Sequence, residues 1–433
     1  MKLPSAVAHL AADSVRYAIS KAIPGAAGLA SVLVLVRLMG EGEYGRFALV
    51  FVMVGTMRSF FTGWLGQSVL RYHSIYGERR NFKLAMRAGL AISLTLGTAV
   101  IFVLAGIGFL GEADTYSAGT MSVIVLFYIF SSLYEFRIVL LQARIAPQSV
   151  IVLSAVQAVA GVLLPVALIL LVAPSYSLAL LGIAFANLVA LAIPTRSGAV
   201  QGREPSSEPS ESWESTTGRM WRYGWALSFW YAAMMTLQLS DRYFIQYYID
   251  FDSVGAYSAL YDVIIRGYSL LLFPITLAAH PRIMGLWNAG EEENAITVWK
   301  WATLAMAIPF VIVIIVAYPL RAQLVDVVLP DPDPAMRGLI LPLVTGGFIW
   351  QFALLAHKPL EVSGRTSWML MFALIALSVN IVLNYALIPK FGLLVPAYTT
   401  VAAGMTYVIL TLATATLSKE RLLALARRES EHF

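Results

Sequence analysis

The chain of 433 residues contains no cysteine. That absence excludes disulfides, thiolate metal sites and cysteine nucleophiles. Charge is scarce: 13% of residues are Asp, Glu, Lys or Arg, against about 25% in an ordinary soluble domain. The five histidines (His9, His73, His280, His357 and His432) are scattered, without metal-ligand spacing. There is no Walker loop for phosphate and no GxSxG nucleophile elbow. The start, "MKLPSAVAHLAADSVRYAISKAIPG", lacks a compact apolar core with a small-residue cleavage site, so the first span is expected to remain in the mature protein.

What the sequence does have is apolar length. Hydrophobic residues make up 59%, and mean hydropathy is +0.75. Runs of about twenty apolar residues recur, each long enough to cross a bilayer. The reading is an all-α integral membrane protein with about twelve transmembrane helices. The spans fall near 17–39, 45–69, 85–110, 119–141, 149–173, 176–194, 221–246, 254–279, 297–320, 337–357, 367–388 and 393–416.

The connections alternate in charge. Seventeen Lys and Arg lie on one set, from Lys2 and Arg71 to Arg427 and Arg428. The opposite loops hold only Arg321, Arg337 and Lys390. By the positive-inside rule the basic set, with both termini, is cytoplasmic. "DPD" at 331–333 looks like a metal-binding acid pair, but its Pro-rich loop belongs to the opposite set and reads as solvated.

The Ser-, Pro- and Glu-rich stretch 196–219 reads as a cytoplasmic linker. It divides the chain into an N-terminal six-helix bundle (1–195), a C-terminal six-helix bundle (220–417) and a tail (418–433). The tail reads as a short amphipathic helix on the inner leaflet or as a plain helix end. The two halves carry a weak repeat. "RY" at 16–17 recurs at 222–223, and Arg37 is matched by Arg242. "FAL" at 47–49 meets "SAL" at 258–260, a shift of 211 that also pairs Arg71 with Arg282. With six spans each, the halves are parallel repeats, and a transporter places its path between such halves.

Several charges sit inside the spans. Arg58 in span 2 and Arg266 in span 8 both lie roughly 20 Å from the outer end at 1.5 Å per residue. Arg58 has no acid within a helical turn of its own helix, whereas Asp262 precedes Arg266 by four residues and is expected to hold it in place. Lys21 lies early in span 1, Glu135 and Arg137 in span 4, and Asp241 and Arg242 near the outer part of span 7. For Arg37, Arg137 and Arg242, near span ends, snorkelling or structural pairing is the expectation. For Arg58 and Arg266 the expectation is a water-filled cationic cavity for an anionic substrate, because guanidinium binds phosphate bidentately. Pro24 and Gly25 are expected to form a hinge, and Pro165, Pro274, Pro309 and Pro342 to interrupt their spans.

The segments "IPGAAGLASVLVLVRLMGEGEYGRFALV" (23–50), "GWLGQSVLRY" (63–72), "LSDRYFIQYYIDFDSVGAYSALYDV" (239–263) and "NIVLNYALIPKFG" (380–392) carry a resemblance. The chain resembles the Wzx-like polysaccharide flippases of the multidrug/oligosaccharidyl-lipid/polysaccharide exporter superfamily. It departs after Gly392, where "LLVPAYTT" places Pro396 early in the last span. The resemblance implies a V-shaped pair of six-helix bundles around a central cavity, with Lys21 joining Arg58 and Arg266 as its cationic residues on spans 1, 2 and 8. It implies alternating-access transfer of an undecaprenyl-pyrophosphate-linked oligosaccharide to the outer leaflet, for O-antigen, capsule or exopolysaccharide. It further implies a monomer in the bacterial inner membrane, working with a polymerase and a chain-length regulator. No enzymatic step, organic cofactor, metal or nucleic acid is implied, and proton and sodium stay open as coupling ions. Two rivals remain at this point. A drug/cation antiporter expects an acidic cavity. A membrane glycosyltransferase or polymerase expects a large periplasmic loop, but the largest outer loop here has about 17 residues.

Overall fold

The computed structural model describes residues 23–77, 79–107, 117–195, 213–330, 332–363 and 365–430. Lys21, most of the 196–219 stretch and Asp331 lie outside the described residues. Within them the chain is helical, without a strand. The first half runs α1 (Ile23–Met39), α2 (Glu41–Phe61), α3 (Gly63–Tyr76), α4 (Arg80–Gly106), α5 (Ala118–Ala143), α6 (Pro147–Leu171) and α7 (Tyr176–Ala192). The second runs α8 (Trp213–Leu239), α9 (Asp241–Tyr248), α10 (Phe251–Leu271), α11 (Phe273–Asn288), α12 (Glu292–Ala317) and α13 (Arg321–Val328). After a 3-10 turn (Pro334–Leu339) come α14 (Ile340–Ala356), α15 (Lys358–Val362), α16 (Thr366–Phe391) and α17 (Leu394–Ser430).

Among the described residues, seven helices are long and apolar enough to cross a membrane, and two bent pairs raise that to nine. α1 and α7 are shorter apolar helices. α8 is long, but its first turns carry Glu214, Arg219 and Arg222, which lower its hydropathy. Expected spans 2 and 8 differ from single helices: α2–α3 bends by 45° and α10–α11 by 47°. Corresponding bounds move by one constant shift of 210 residues, from 41 to 251, 61 to 271 and 63 to 273. The weak repeat in the sequence is thus a repeat of geometry.

The two bends have different chemistry. At Thr62 the side-chain hydroxyl donates to the Arg58 carbonyl at 2.7 Å, alongside the backbone N–H at 2.9 Å. At Leu272 the second limb opens with Pro274 in its first turn, where a missing N–H leaves nothing unpaired. The other prolines do not interrupt their spans as expected. Pro165 and Pro309 lie inside continuous α6 and α12, and Pro342 falls in the first turn of α14, where its lost donor is one of the helix's orphans.

The chain forms two compact units, Ala26–Ala259 and Leu260–Phe433 with the residues through Gly25. In the first, Trp64, Leu65, Val69, Phe82, Ala85 and Met220 make one core cluster between α3, α4 and α8. The Trp64 indole donates to Ser93 at 3.2 Å, and Ser68 donates to the Met220 carbonyl at 2.6 Å. In the second, Asn384 donates to Asn380 at 3.1 Å and accepts from Thr399 at 2.6 Å. Both asparagines are fully buried, so these bonds satisfy amides that would be costly unpaired in an apolar medium. Pro396 sits in the first turn of α17, where it is tolerated. Gly392 supplies the positive φ of 69° that closes α16. The departure seen after Gly392 is therefore accommodated, and α17 continues as one helix through Ser430.

Packing sorts the spans by role. α6 and α12 bury only 11% and 17% of their apolar windows, whereas Pro334–Val362 buries 67%. The first two have lipid-facing surface to spare; the α14 span is enclosed by its own bundle.

Candidate functional site

Arg58 lies in the last turn of α2, one turn before the Thr62 bend. It is not unpaired, as inspection of its own helix suggested. Its Nη1 lies 3.7 Å from Glu135 Oε1 on α5, with the two side chains 28% and 46% exposed. At that exposure the pair contributes about 1 kcal/mol or less to stability. It leaves guanidinium donors available for another acceptor.

Arg266 stands five residues before the end of α10 and is half-buried. Among the described residues it makes no hydrogen bond or ion pair. The expected Asp262–Arg266 pair does not form; Asp262 has a partner of its own. Same-face spacing brings two Cβ atoms to about 5–6 Å, but that alone does not bring a short Asp carboxylate onto the guanidinium. By the shift of 210 the position matching Arg58 is Tyr268. Arg266 is therefore a near counterpart of Arg58, displaced by two residues toward the start of its helix.

The remaining in-span charges are mostly structural. Arg137 donates to the Leu191 carbonyl, to the Ile193 carbonyl at 2.6 Å and to the Thr195 hydroxyl at 3.1 Å. It thereby caps the carbonyl end of α7, where a cation is favoured. Asp241 and Arg242 are both buried at the α8–α9 junction, and Asp241 accepts from the Tyr257 hydroxyl at 2.9 Å. Arg242 is 2% exposed and so does not snorkel. Arg37 is exposed. Gly25 lies within α1, and a Cβ there would overlap the Leu270 side chain. Its small size serves close packing against α10, and Pro24 lies beside it in the same turn.

Sequence inspection missed a second group. His280, His357, Lys358 and Glu361 converge in the second unit. The signal was present in "HKPLE", where Glu361 follows Lys358 by three and His357 by four residues, the spacings that meet on one helix face. Among the described residues no His/Asp/Glu group has metal-site geometry.

Comparison with known proteins bears on this arrangement. The family model described as "Polysaccharide biosynthesis protein" matches residues 13–287, and the one described as "MatE" matches 226–386. No curated protein matches by sequence. Among solved structures, an inward-facing multidrug resistance MATE family transporter of the MOP superfamily is similar with a TM-score of 0.66 at 13% identity, over 94% of this chain and 96% of that one. The lipid II flippase MurJ, in an inward closed conformation, is similar with a TM-score of 0.64 at 12% identity, over 93% and 87%. A MOP superfamily transporter from Pyrococcus furiosus, described as having a binding pocket of reverse polarity, gives 0.58 at 15% identity, over 96% of each. The fold is that of MOP-superfamily transporters. With the first family model spanning more than half of its length, the chain belongs to the polysaccharide biosynthesis protein family.

Proposed function

We propose that this membrane protein is a flippase that moves an undecaprenyl-pyrophosphate-linked oligosaccharide from the inner to the outer leaflet of a bacterial inner membrane. The observation that carries the reading is a cationic side chain just ahead of the bend in each of two repeat-related spans, Arg58 before Thr62 and Arg266 before Leu272. Guanidinium matches the bidentate geometry of a pyrophosphate. A bend is where paired limbs of a span can change their angle. Arg58 and Arg266 bind the pyrophosphate as it passes, with Lys21 as a third contact and Glu135 holding Arg58 in place between turnovers. The path opens alternately to each side of the membrane.

Several features support this charge assignment over the cation-antiporter reading. The in-span acids Glu135 and Asp241 are beside Arg58 and the Tyr257 hydroxyl respectively, and Asp262 has a partner, so acids are committed while Arg266 is available. A head bearing two negative charges gains about 2.3 kcal/mol per charge per 100 mV on leaving a negative interior. Export then runs downhill on the membrane potential.

The test is transport by the full chain in proteoliposomes containing undecaprenyl-pyrophosphate-linked oligosaccharide. Leaflet exposure of the glycan is read by lectin binding. The proposal expects protein-dependent exposure that rises with an inside-negative potential. No exposure above empty vesicles, together with proton-driven loss of an organic cation dye, would assign the chain to drug efflux instead.

A further inference from the structure

In the second unit, at the end that carries the basic loops, three cationic or titratable side chains share one carboxylate. Lys358 Nζ lies 2.5 Å from Glu361 Oε2. His357 Nε2 lies 3.8 Å from that same oxygen. His280, on α11, points Nδ1 at the other oxygen, Oε1, from 4.0 Å. Beyond His357, its Nδ1 is 3.2 Å from the Tyr407 hydroxyl on α17. From α12 the Trp299 indole donates to the Leu355 carbonyl at 2.8 Å, closing the corner.

The members differ in access. His357, Lys358 and Tyr407 are buried, and His357 is held between a hydroxyl and a carboxylate. His280 is 40% exposed along its side chain, yet its Nδ1 atom is buried and without a hydrogen bond. A ring nitrogen aimed at a carboxylate oxygen across a 4.0 Å gap, on a residue that solvent reaches, is arranged to take up a proton and then close on that oxygen. Other charges on the packed elements do not intercept it. Arg282 is two positions further along α11, about 200° around the helix. Lys300 adjoins Trp299 on α12, and Arg365 opens α16. None of these is within ion-pair distance of Glu361.

We propose that His280 and Glu361 form a proton-binding site, with Lys358 as the competing cation on the same carboxylate. Protonated His280 engages Oε1 in a charge-assisted bond of about 2.8 Å, drawing α11 against α15. Loss of the proton returns Glu361 to Lys358 and frees α11. Because α11 is the second limb of the bent span that carries Arg266, the site links proton uptake to the position of that limb. Imidazole is the side chain that ordinarily changes charge between about pH 5 and 8. This inference concerns the proton alone and does not depend on which lipid-linked substrate is carried.

The chain has only five histidines, so the site can be read directly. Full-length protein carrying 13C-labelled histidine, in nanodiscs, is titrated by NMR, and the His280 signal is assigned by its loss in H280Q. The expected result is a His280 transition below the ordinary imidazole value, because burial and the Lys358 ammonium oppose the proton while Glu361 favours it. Its midpoint should fall by about one pH unit in E361Q and rise by about one in K358M, because one substitution removes the attracting charge and the other the repelling one. A His280 signal that does not titrate while the protein stays folded overturns the site. So do midpoints that stay put, or that move in the same direction in both variants. If one variant fails to fold, the wild-type titration and the other variant decide.

Discussion

The bent spans α2–α3 and α10–α11 have the same length of first limb and nearly the same angle, yet their arginines stand in opposite circumstances. Inspection of single helices pairs Arg266 with Asp262 and leaves Arg58 alone. The folded chain pairs Arg58 with Glu135 from another helix and leaves Arg266 without an ion pair among the described residues. The lesson is one of geometry. Spacing along a helix says which side chains share a face, but a guanidinium about 6–7 Å from its backbone reaches a neighbouring helix as easily as its own next turn. The cation that looks solitary in sequence is the one restrained by tertiary contact.

The comparison makes an ordered set of expectations. Arg266→Ala has the largest effect: lipid-linked oligosaccharide transfer in proteoliposomes should fall at least tenfold, about the value of one charge-assisted bond of 1.5–3 kcal/mol. Arg266→Lys should recover part of it, because it restores charge without the bidentate fork. Wild-type transfer by Arg266→Ala would remove this residue from the path.

Next in size are the two ends of α10. A Cβ on Gly255 would overlap the Glu41 backbone, whereas one on Gly267 would meet nothing within 4 Å. Gly255→Ala should therefore cost about 1–3 kcal/mol by overpacking, seen as a lower melting temperature in detergent. Gly267→Ala should hold or gain up to about 1 kcal/mol from helix propensity. Equal melting temperatures would show that the close approach of α2 and α10 near Gly255 is slack.

Arg58→Ala should reduce transfer by about threefold to fivefold, a loss near 1 kcal/mol, because Glu135 already takes part of its charge. Glu135→Gln should act in the opposite sense and raise transfer modestly. In the double variant Glu135→Gln should have no effect of its own, and a double-mutant cycle measures that coupling. If Arg58→Ala proves as damaging as Arg266→Ala, the asymmetry between the two spans has no functional counterpart.

The smallest effect belongs to the bend itself. Thr62→Val keeps the side-chain shape but removes the hydroxyl bond to the Arg58 carbonyl. A cost of about 0.5–1.5 kcal/mol is expected, with a wider distribution of α2–α3 angles in spin-label distance measurements. Pro274→Ala at the other bend should also widen the distribution, since it releases the φ that proline holds near −65°.

Much of this architecture was legible before any coordinates. Apolar length marked the spans, because a helix in lipid needs an unbroken run of low-polarity residues. The shift that aligned "FAL" with "SAL" came within one residue of the geometric shift. The bends were less readable: Pro274 marked one of them, but Pro165 and Pro309 carry the same signal inside continuous helices, and Thr62 carries almost none. Arg137 could not be read as a cap for α7, since its three acceptors are more than fifty residues away. Pairings of that kind depend on which helices become neighbours, and periodicity within one helix holds no such information.

The buried contact between Asn384 and Thr399 has a mechanical consequence. It rivets α16 to α17 close to the Gly392 turn, so the two are joined both by the chain and by a side-chain crossbar. A hairpin braced in this way resists scissoring; it swings as a single blade. Any displacement delivered to α17 near Thr399 must carry α16 with it. Thr399→Val, by taking out the crossbar, would leave only apolar packing and the turn to hold the two helices together.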